Sequence, residues 1–359
     1  MISEISIKAY KSIKSIKFEC SYLNLFVGTN SSGKSSCLQA LLLYEQNKEY
    51  NFGLNGDLIS VGEFREVRNN SLREIPIELS INSRIKGEKS ITEYMTFTED
   101  YDTNECVVNK HIEEESSTVF YLSCNRLGVR DLFHKSTKIK NALGNDGEYA
   151  IPYLWKHKDD LLEESMCHSF EVGNTLQAQV NYWLMRIINT NLEVMGIDKT
   201  DYVQVIYNNN PQNKNSAALY RRPTNIGAGV SYLVSIIVLC LASTDTSVIV
   251  LENPEIHLHP KAQSKLCEFF YFISKANRQL FIETHSDHIF NAIRVGISAD
   301  NWNPKLIKVN FLAMNDKYET QCNPITFGPY GRIIGNNPEM DIDDLFDQFE
   351  IDLDRMLGL

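Results

Sequence analysis

Nine consecutive residues, "GTNSSGKSS" from Gly28 to Ser36, hold two glycines, four serines and a lysine. The spacing of Gly28, Gly33, Lys34 and Ser35 is that of a loop whose backbone N–H groups wrap a polyphosphate. Lys34 would add a mobile positive charge and the Ser35 hydroxyl could ligate Mg²⁺. Asn30, Ser31, Ser32 and Ser36 complete the set of candidate nucleotide-binding residues. Far downstream, Glu252 closes the apolar run "SVIVL", where Mg²⁺ on a nucleotide needs a facing carboxylate. His285 ends "LFIET", where an imidazole can donate to a γ-phosphate or orient the attacking water. His257, His259, His285 and His288 resemble a metal cluster when taken alone, but the nucleotide reading uses His285 and leaves too few for zinc. Glu252, Glu255, Glu283 and Asp287 are the carboxylates that a metal-dependent nuclease would use.

These groups need elements to hold them. "YLNLFV" before the loop is short and apolar, as a buried strand is, and "SSCLQALLLYEQ" after it places Leu38, Leu41 and Leu42 at helical spacing. Strand, loop and helix in that order aim first-turn N–H groups and the positive end of the helix dipole at an anion. "SVIVL" and "LFIET" read as strands flanking a helix that carries Leu266, Phe269, Phe270 and Ile273 on one face. Such a β-α-β unit builds a parallel sheet covered on both faces, and ligands gather at the carboxyl ends of its strands, where Glu252 and His285 fall.

With 359 residues the chain has room for two or three domains at roughly 100 to 200 residues each. A formal charge of −11 argues against coating nucleic acid through the overall field. Local basic candidates are Lys8, Lys11, Lys14 and Lys17, then "HKSTKIK" (134–140), then Arg221 and Arg222; the first four read better as a solvated strand face. The eight cysteines form no C-x-x-C pair and are expected to be reduced. There is no apolar run of ~18 residues and no signal-peptide block, so a cytoplasmic protein without a membrane span is expected. Residues 2–97 alternate strand-like pieces with turns, the acidic stretch from Thr96 suggests an exposed hairpin or loop, and "TVFYLSC" resumes as a strand. Residues 129–222 have helical spacing and read as a largely helical insertion, which gives the divisions 1–128, 129–222, 223–315 and a C-terminal extension 316–359.

"GTNSSGKSS", "NIGAGVS", "VLENPEIHLHPKAQ" and "ETHSDH", in that order, resemble a bacterial AAA-type ATPase family of ABC-type fold, related to the ATPase modules of OLD-family nucleases. The closer resemblance is to a subgroup marked by ENPE-x-HLHP and a C-terminal F-x-P-x-G segment, here "ITFGPYGRI" with "DDLFDQFEIDL". It implies an α/β fold: an ABC-type ATPase head with a phosphate-loop mixed sheet, a β-rich N-terminal lobe and the helical insertion. It also implies two copies facing each other around two ATP molecules with Mg²⁺. On that pattern "NIGAGVS" is the signature loop, and Asn225, Gly227, Gly229 and Ser231 meet the partner copy's γ-phosphate; a plain helix N-cap is the simpler reading of the same residues. The pattern is broken in three places. The signature departs from Leu-Ser-Gly-Gly-Gln, no glutamine marks the inter-lobe loop, for which Asp57 and Glu63 are the candidate substitutes, and Asn253 sits where the resemblance implies the glutamate that polarises water. Glu255 is the nearest replacement.

The stretch after His288 is too short for the nuclease domain that OLD proteins carry. The expectation is therefore a dimeric or larger ATP-driven switch that gates a separate effector, a nuclease in anti-phage defence, with nucleic acid contacted through the complex. The competing classes are a DNA-clamping maintenance ATPase and a nuclease in its own right; a transporter ATPase fits least.

Overall fold

The computed structural model describes residues 1–84, 90–100, 102–103, 105–113, 118–135, 143–168, 170–209 and 219–335. Strands β1 (Ile2–Tyr10), β2 (Ile13–Glu19) and β3 (Leu23–Gly28) open the chain, followed by helices α1 (Lys34–Gln46) and α2 (Phe64–Val67). Then come β4 (Ile77–Arg84), β5 (Ser90–Glu99), β6 (Cys106–His111), β7 (Val119–Leu122) and β8 (Leu132–His134). Helices α3 (Ala150–His157) and α4 (Leu176–Ile188) precede β9 (Asn191–Gly196) and β10 (Tyr202–Asn208). The next run is α5 (Ala228–Ala242), β11 (Val248–Glu252), α6 (Pro260–Lys275), β12 (Gln279–Glu283) and α7 (Asp287–Ala299). Strands β13 (Ile307–Met314), β14 (Thr320–Phe327) and β15 (Ile333–Gly335) close the described chain.

Two compact units divide the chain: Met1–Ser116 with His285–Leu359, and Ser117–Thr284. In the first, an antiparallel sheet runs in the order β2-β1-β4-β5-β6. Its strands alternate buried and open positions, as a sheet with one covered face should; in β4, Ile77, Leu79 and Ile81 point inward. The acidic stretch that begins at Thr96 becomes the β5–β6 hairpin, with Tyr94 opposite His111 and Glu99 opposite Cys106. Lys8, Lys14 and Lys17 pair with Glu78, Glu319 and Glu4, and Lys11 donates to Gln39, so each of the four N-terminal lysines has a partner on this unit. Strand β3 is buried at every position. It pairs in parallel with β13, which brings Leu312 opposite Gly28.

In the second unit β7, β11 and β12 are parallel, and α6 forms the crossover between β11 and β12. Glu252 and Glu283 share a register position at the carboxyl ends of their strands. Helix α5 is apolar around most of its circumference and buried from Leu233 to Leu241, so it serves as the core against which α3 and α4 pack.

The segment 129–222 supplies α3 and α4 as expected, and also an antiparallel sheet β8-β10-β9 that helical spacing did not indicate. The helical reading of "NTNLEVM" fails for a local reason. Asn189 takes a left-handed conformation (φ +55°) and closes α4 through N–H bonds to Leu184 and Met185, after which Leu192 and Val194 face inward while Glu193 and Met195 face out. The residues "KSTKIK" after His134 fall largely outside the described residues, as does "DDLFDQFEIDL". Among the described residues no helix is long and apolar enough to cross a membrane, and no disulfide joins the cysteines.

Candidate functional site

Strand β3 delivers the chain into the loop with three left-handed residues, Gly28 (φ +139°), Ser31 (φ +62°) and Gly33 (φ +102°). A Cβ on Gly28 would run into the carbonyl oxygen of Leu312, and one on Gly33 into the side chain of Thr320. Glycine is therefore required at both places, by conformation and by contact. Gly33 is the N-cap of α1 and has no side chain with which to close the first turn. Lys34 is 3% exposed, and its ammonium donates to the carbonyls of Gly28 (3.0 Å) and Thr29 (2.7 Å). Ser32 is fully buried, and its hydroxyl has no hydrogen-bond partner among the described residues. A buried hydroxyl left unsatisfied is rare in a folded protein, and it fits a loop that donates to a ligand group. No carboxylate lies between Gly28 and Ser36. Loop N–H groups, a buried ammonium and a serine hydroxyl form a donor set suited to a polyanion, and the Ser35 hydroxyl suits a hard cation carried by it.

Two residues that back this loop, Thr320 and Ser12, were not legible in sequence. Thr320, at the start of β14, packs on Gly33; its N–H donates to the Ser12 carbonyl (3.0 Å) and its hydroxyl meets the Ser12 hydroxyl (2.7 Å). A hairpin from the far end of the chain thus backs the loop. His285, half-buried at the entry to α7, sits within electrostatic reach of Lys34. Burial and then that ammonium hold its pKa below the usual histidine value, so the ring is neutral near pH 7, with one donor and one acceptor nitrogen.

In the second unit the end of β11 is tightly held. Glu252 is buried; one carboxylate oxygen accepts from the Tyr121 hydroxyl and the other from the Cys124 N–H, each at 3.0 Å. Burial and then the Glu252 charge push the Tyr121 phenol above its ordinary pKa, so it stays a donor. Asn253 follows in a left-handed conformation (φ +43°), with its N–H on the Glu283 carbonyl (2.9 Å) and its side-chain oxygen buried without a hydrogen-bond partner among the described residues. Asparagine tolerates that left-handed backbone better than most longer side chains do. Arg126, which sequence reasoning missed, donates to the carbonyls of both Glu252 and Asn253. The nearby Glu255 charge partly offsets the effect of burial on this guanidinium.

The histidines grouped as a metal cluster have local duties. His257 stacks obliquely on Tyr232 (4.9 Å) and His259 caps α6 by accepting from the Lys261 N–H (3.3 Å). Among the described residues no group of three His, Cys, Asp or Glu is placed to hold a metal.

The four residues of the "NIGAGVS" segment fall into two kinds. Asn225 and Gly227 are exposed, Gly227 is the N-cap of α5, and a Cβ on it would meet nothing within 4 Å. Gly229 is different, because a Cβ there would strike the carbonyl of His257, and Ser231 is buried. Asp57 is exposed, and Glu63 N-caps α2 in a reciprocal capping box with Glu66.

Comparison with known proteins widens this picture. Residues 23–291 match the family model described as "AAA domain, putative AbiEii toxin, Type IV TA system". The chain is similar to an Smc head domain with an extended coiled coil bound to the C-terminal domain of ScpA derived from Pyrococcus furiosus, with a TM-score of 0.56 and 11% identity over 90% of this chain and 96% of that one. It is also similar to an Smc head bound to the C-winged helix domain of ScpA, with a TM-score of 0.52 and 12% identity over 90% and 97% of the two chains. No curated protein matches it. At these identities the likeness is one of fold, the α/β ATPase head of ABC type.

Proposed function

The chain belongs to this family of AAA-type domains, and from that premise we propose that it binds and hydrolyses ATP as a dimeric switch that gates a separate effector protein. The observation that carries the reading is the loop from Gly28 to Ser36, where a buried lysine and an orphaned serine hydroxyl lie between two glycines that no other residue could replace. Asn30, Ser31, Ser32, Lys34 and Ser36 supply donors to the phosphates. Ser35 and Glu252 would hold Mg²⁺, which on binding neutralises phosphate charge and fixes the orientation of the transferred group. Neutral His285 orients the water or donates to the γ-phosphate.

Asn253 can hydrogen-bond a water but cannot take its proton, so Glu255 is assigned as the acceptor and turnover should be slow. General-base groups contribute roughly 10²- to 10⁴-fold. The expected result is slow ATP turnover that Glu255→Gln lowers further by steady-state phosphate release. Fast hydrolysis indifferent to that change would place the base elsewhere.

Each site is completed by the partner copy's loop, with the exposed Asn225 and Gly227 as contacts and Gly229 and Ser231 shaping the loop from inside. Light scattering should therefore show a dimer or larger assembly with ATP and Mg²⁺; a monomer at every concentration would contradict the switch. The effector is assigned as a nuclease of an anti-phage system, with nucleic acid contacted through it. Two observations support this: the motif resemblance to OLD-type ATPase modules, and a family description that names a toxin–antitoxin system. A metal-dependent nuclease within this chain is the alternative, and plasmid nicking by the purified protein that disappears in Glu252→Gln would favour it.

A further inference from the structure

Successive carbonyls of an extended strand point to opposite sides. One guanidinium can meet two in a row only where the backbone turns between them. At the end of β11 it does: one terminal nitrogen of Arg126 donates to the Glu252 carbonyl and the other to the Asn253 carbonyl, each at 2.6 Å. The left-handed φ of +43° at Asn253 supplies the turn. A third bond, 3.1 Å to the Ser123 carbonyl, ties the same guanidinium to the loop after β7, and Cys124 of that loop donates its N–H to the Glu252 carboxylate.

The cost of this arrangement argues for a purpose. Arg126 is 3% exposed, and its Nε–H has no hydrogen-bond partner among the described residues. Burial lowers its pKa, opposed by Glu255 first among the neighbouring charges. Burying a guanidinium costs several kcal/mol unless its surroundings repay it. Lysine could not do the same work, because a point charge lacks the planar fork that spans two carbonyls.

We propose that Arg126 is a positioning residue for ATP hydrolysis, holding the backbone of Glu252 and Asn253 in the turned geometry from which both act. The inference rests on the hydrolytic role proposed for this strand end. The test measures kcat and ATP affinity on the full chain for wild type, Arg126→Lys and Arg126→Ala, with guanidinium ion added to the last at concentrations too low to denature. Misplacement of catalytic groups by about 1 Å costs on the order of 10²-fold, so kcat should fall roughly 10- to 100-fold in Arg126→Ala and less in Arg126→Lys. Affinity should stay within about threefold of wild type, because the phosphate loop lies in the other unit, and added guanidinium should restore part of the turnover.

A role limited to folding would lower melting temperature and ATP affinity together and would not respond to guanidinium. If Arg126→Ala does not fold, the split between kcat and affinity in Arg126→Lys decides the matter. Unchanged turnover in both variants, or turnover lost in step with affinity, overturns the proposal and leaves the hydrolytic reading standing. A wild-type protein that binds ATP without hydrolysing it overturns both.

Discussion

Lys34→Ala is expected to abolish tight ATP binding. The ammonium is buried within the loop and donates to the carbonyls of Gly28 and Thr29, where it supplies a positive charge to a polyphosphate. Hydrogen bonds to charged groups are worth about 1.5–3 kcal/mol each, and every 1.4 kcal/mol is tenfold in affinity. Losing one or two of them should raise Kd by roughly 10- to 10⁴-fold, and activity in cells should disappear with it. Isothermal titration with ATP and Mg²⁺ measures the change. The same ammonium also braces the loop through those two carbonyls, so Lys34→Met, which keeps most of the volume, serves as the control for local collapse. Binding that survives in both variants would remove the basis of the nucleotide reading.

The second large effect is expected at Glu252, where Glu252→Gln should separate binding from turnover. Its carboxylate has two fixed donors, the Tyr121 hydroxyl and the Cys124 N–H. An amide can accept from one of them but must turn its NH₂ toward the other, which leaves one buried donor unmatched at about 1–3 kcal/mol. It also removes the negative charge that the metal needs. Turnover should fall by roughly 10²-fold or more, while ATP still binds through the phosphate loop in the other unit. The ATP-bound dimer should then persist, visible as an assembly that no longer decays with time in light scattering. Undiminished turnover would move the metal carboxylate elsewhere, with Glu283, the register partner of Glu252, the next to test.

Much of this was legible in the sequence because the determinants are local. The phosphate loop needs glycines where φ is positive, a lysine and a helix start within nine residues, and "GTNSSGKSS" displays all of them. The β-α-β unit from Val248 to Glu283 was readable because short apolar strands and a helix with one apolar face have different periods, and its parallel pairing followed. The end of α4 was misread because one asparagine in a left-handed conformation switches the period from helix to strand, and a window of helical spacing averages over that switch.

What only the tertiary structure decided are the contacts between residues distant in sequence. Thr320 and Ser12 behind Gly33, and Tyr121, Cys124 and Arg126 around the end of β11, carry no motif of their own. The left-handed backbone at Asn253 (φ +43°) belongs with them, a conformation that asparagine tolerates better than a longer acid does. Local sequence specifies groups and periods, because backbone preference and side-chain type act over a few residues. The placement of a carboxylate or a carbonyl to within an ångström depends on chain segments brought together only when the core closes, and no spacing in the sequence records it.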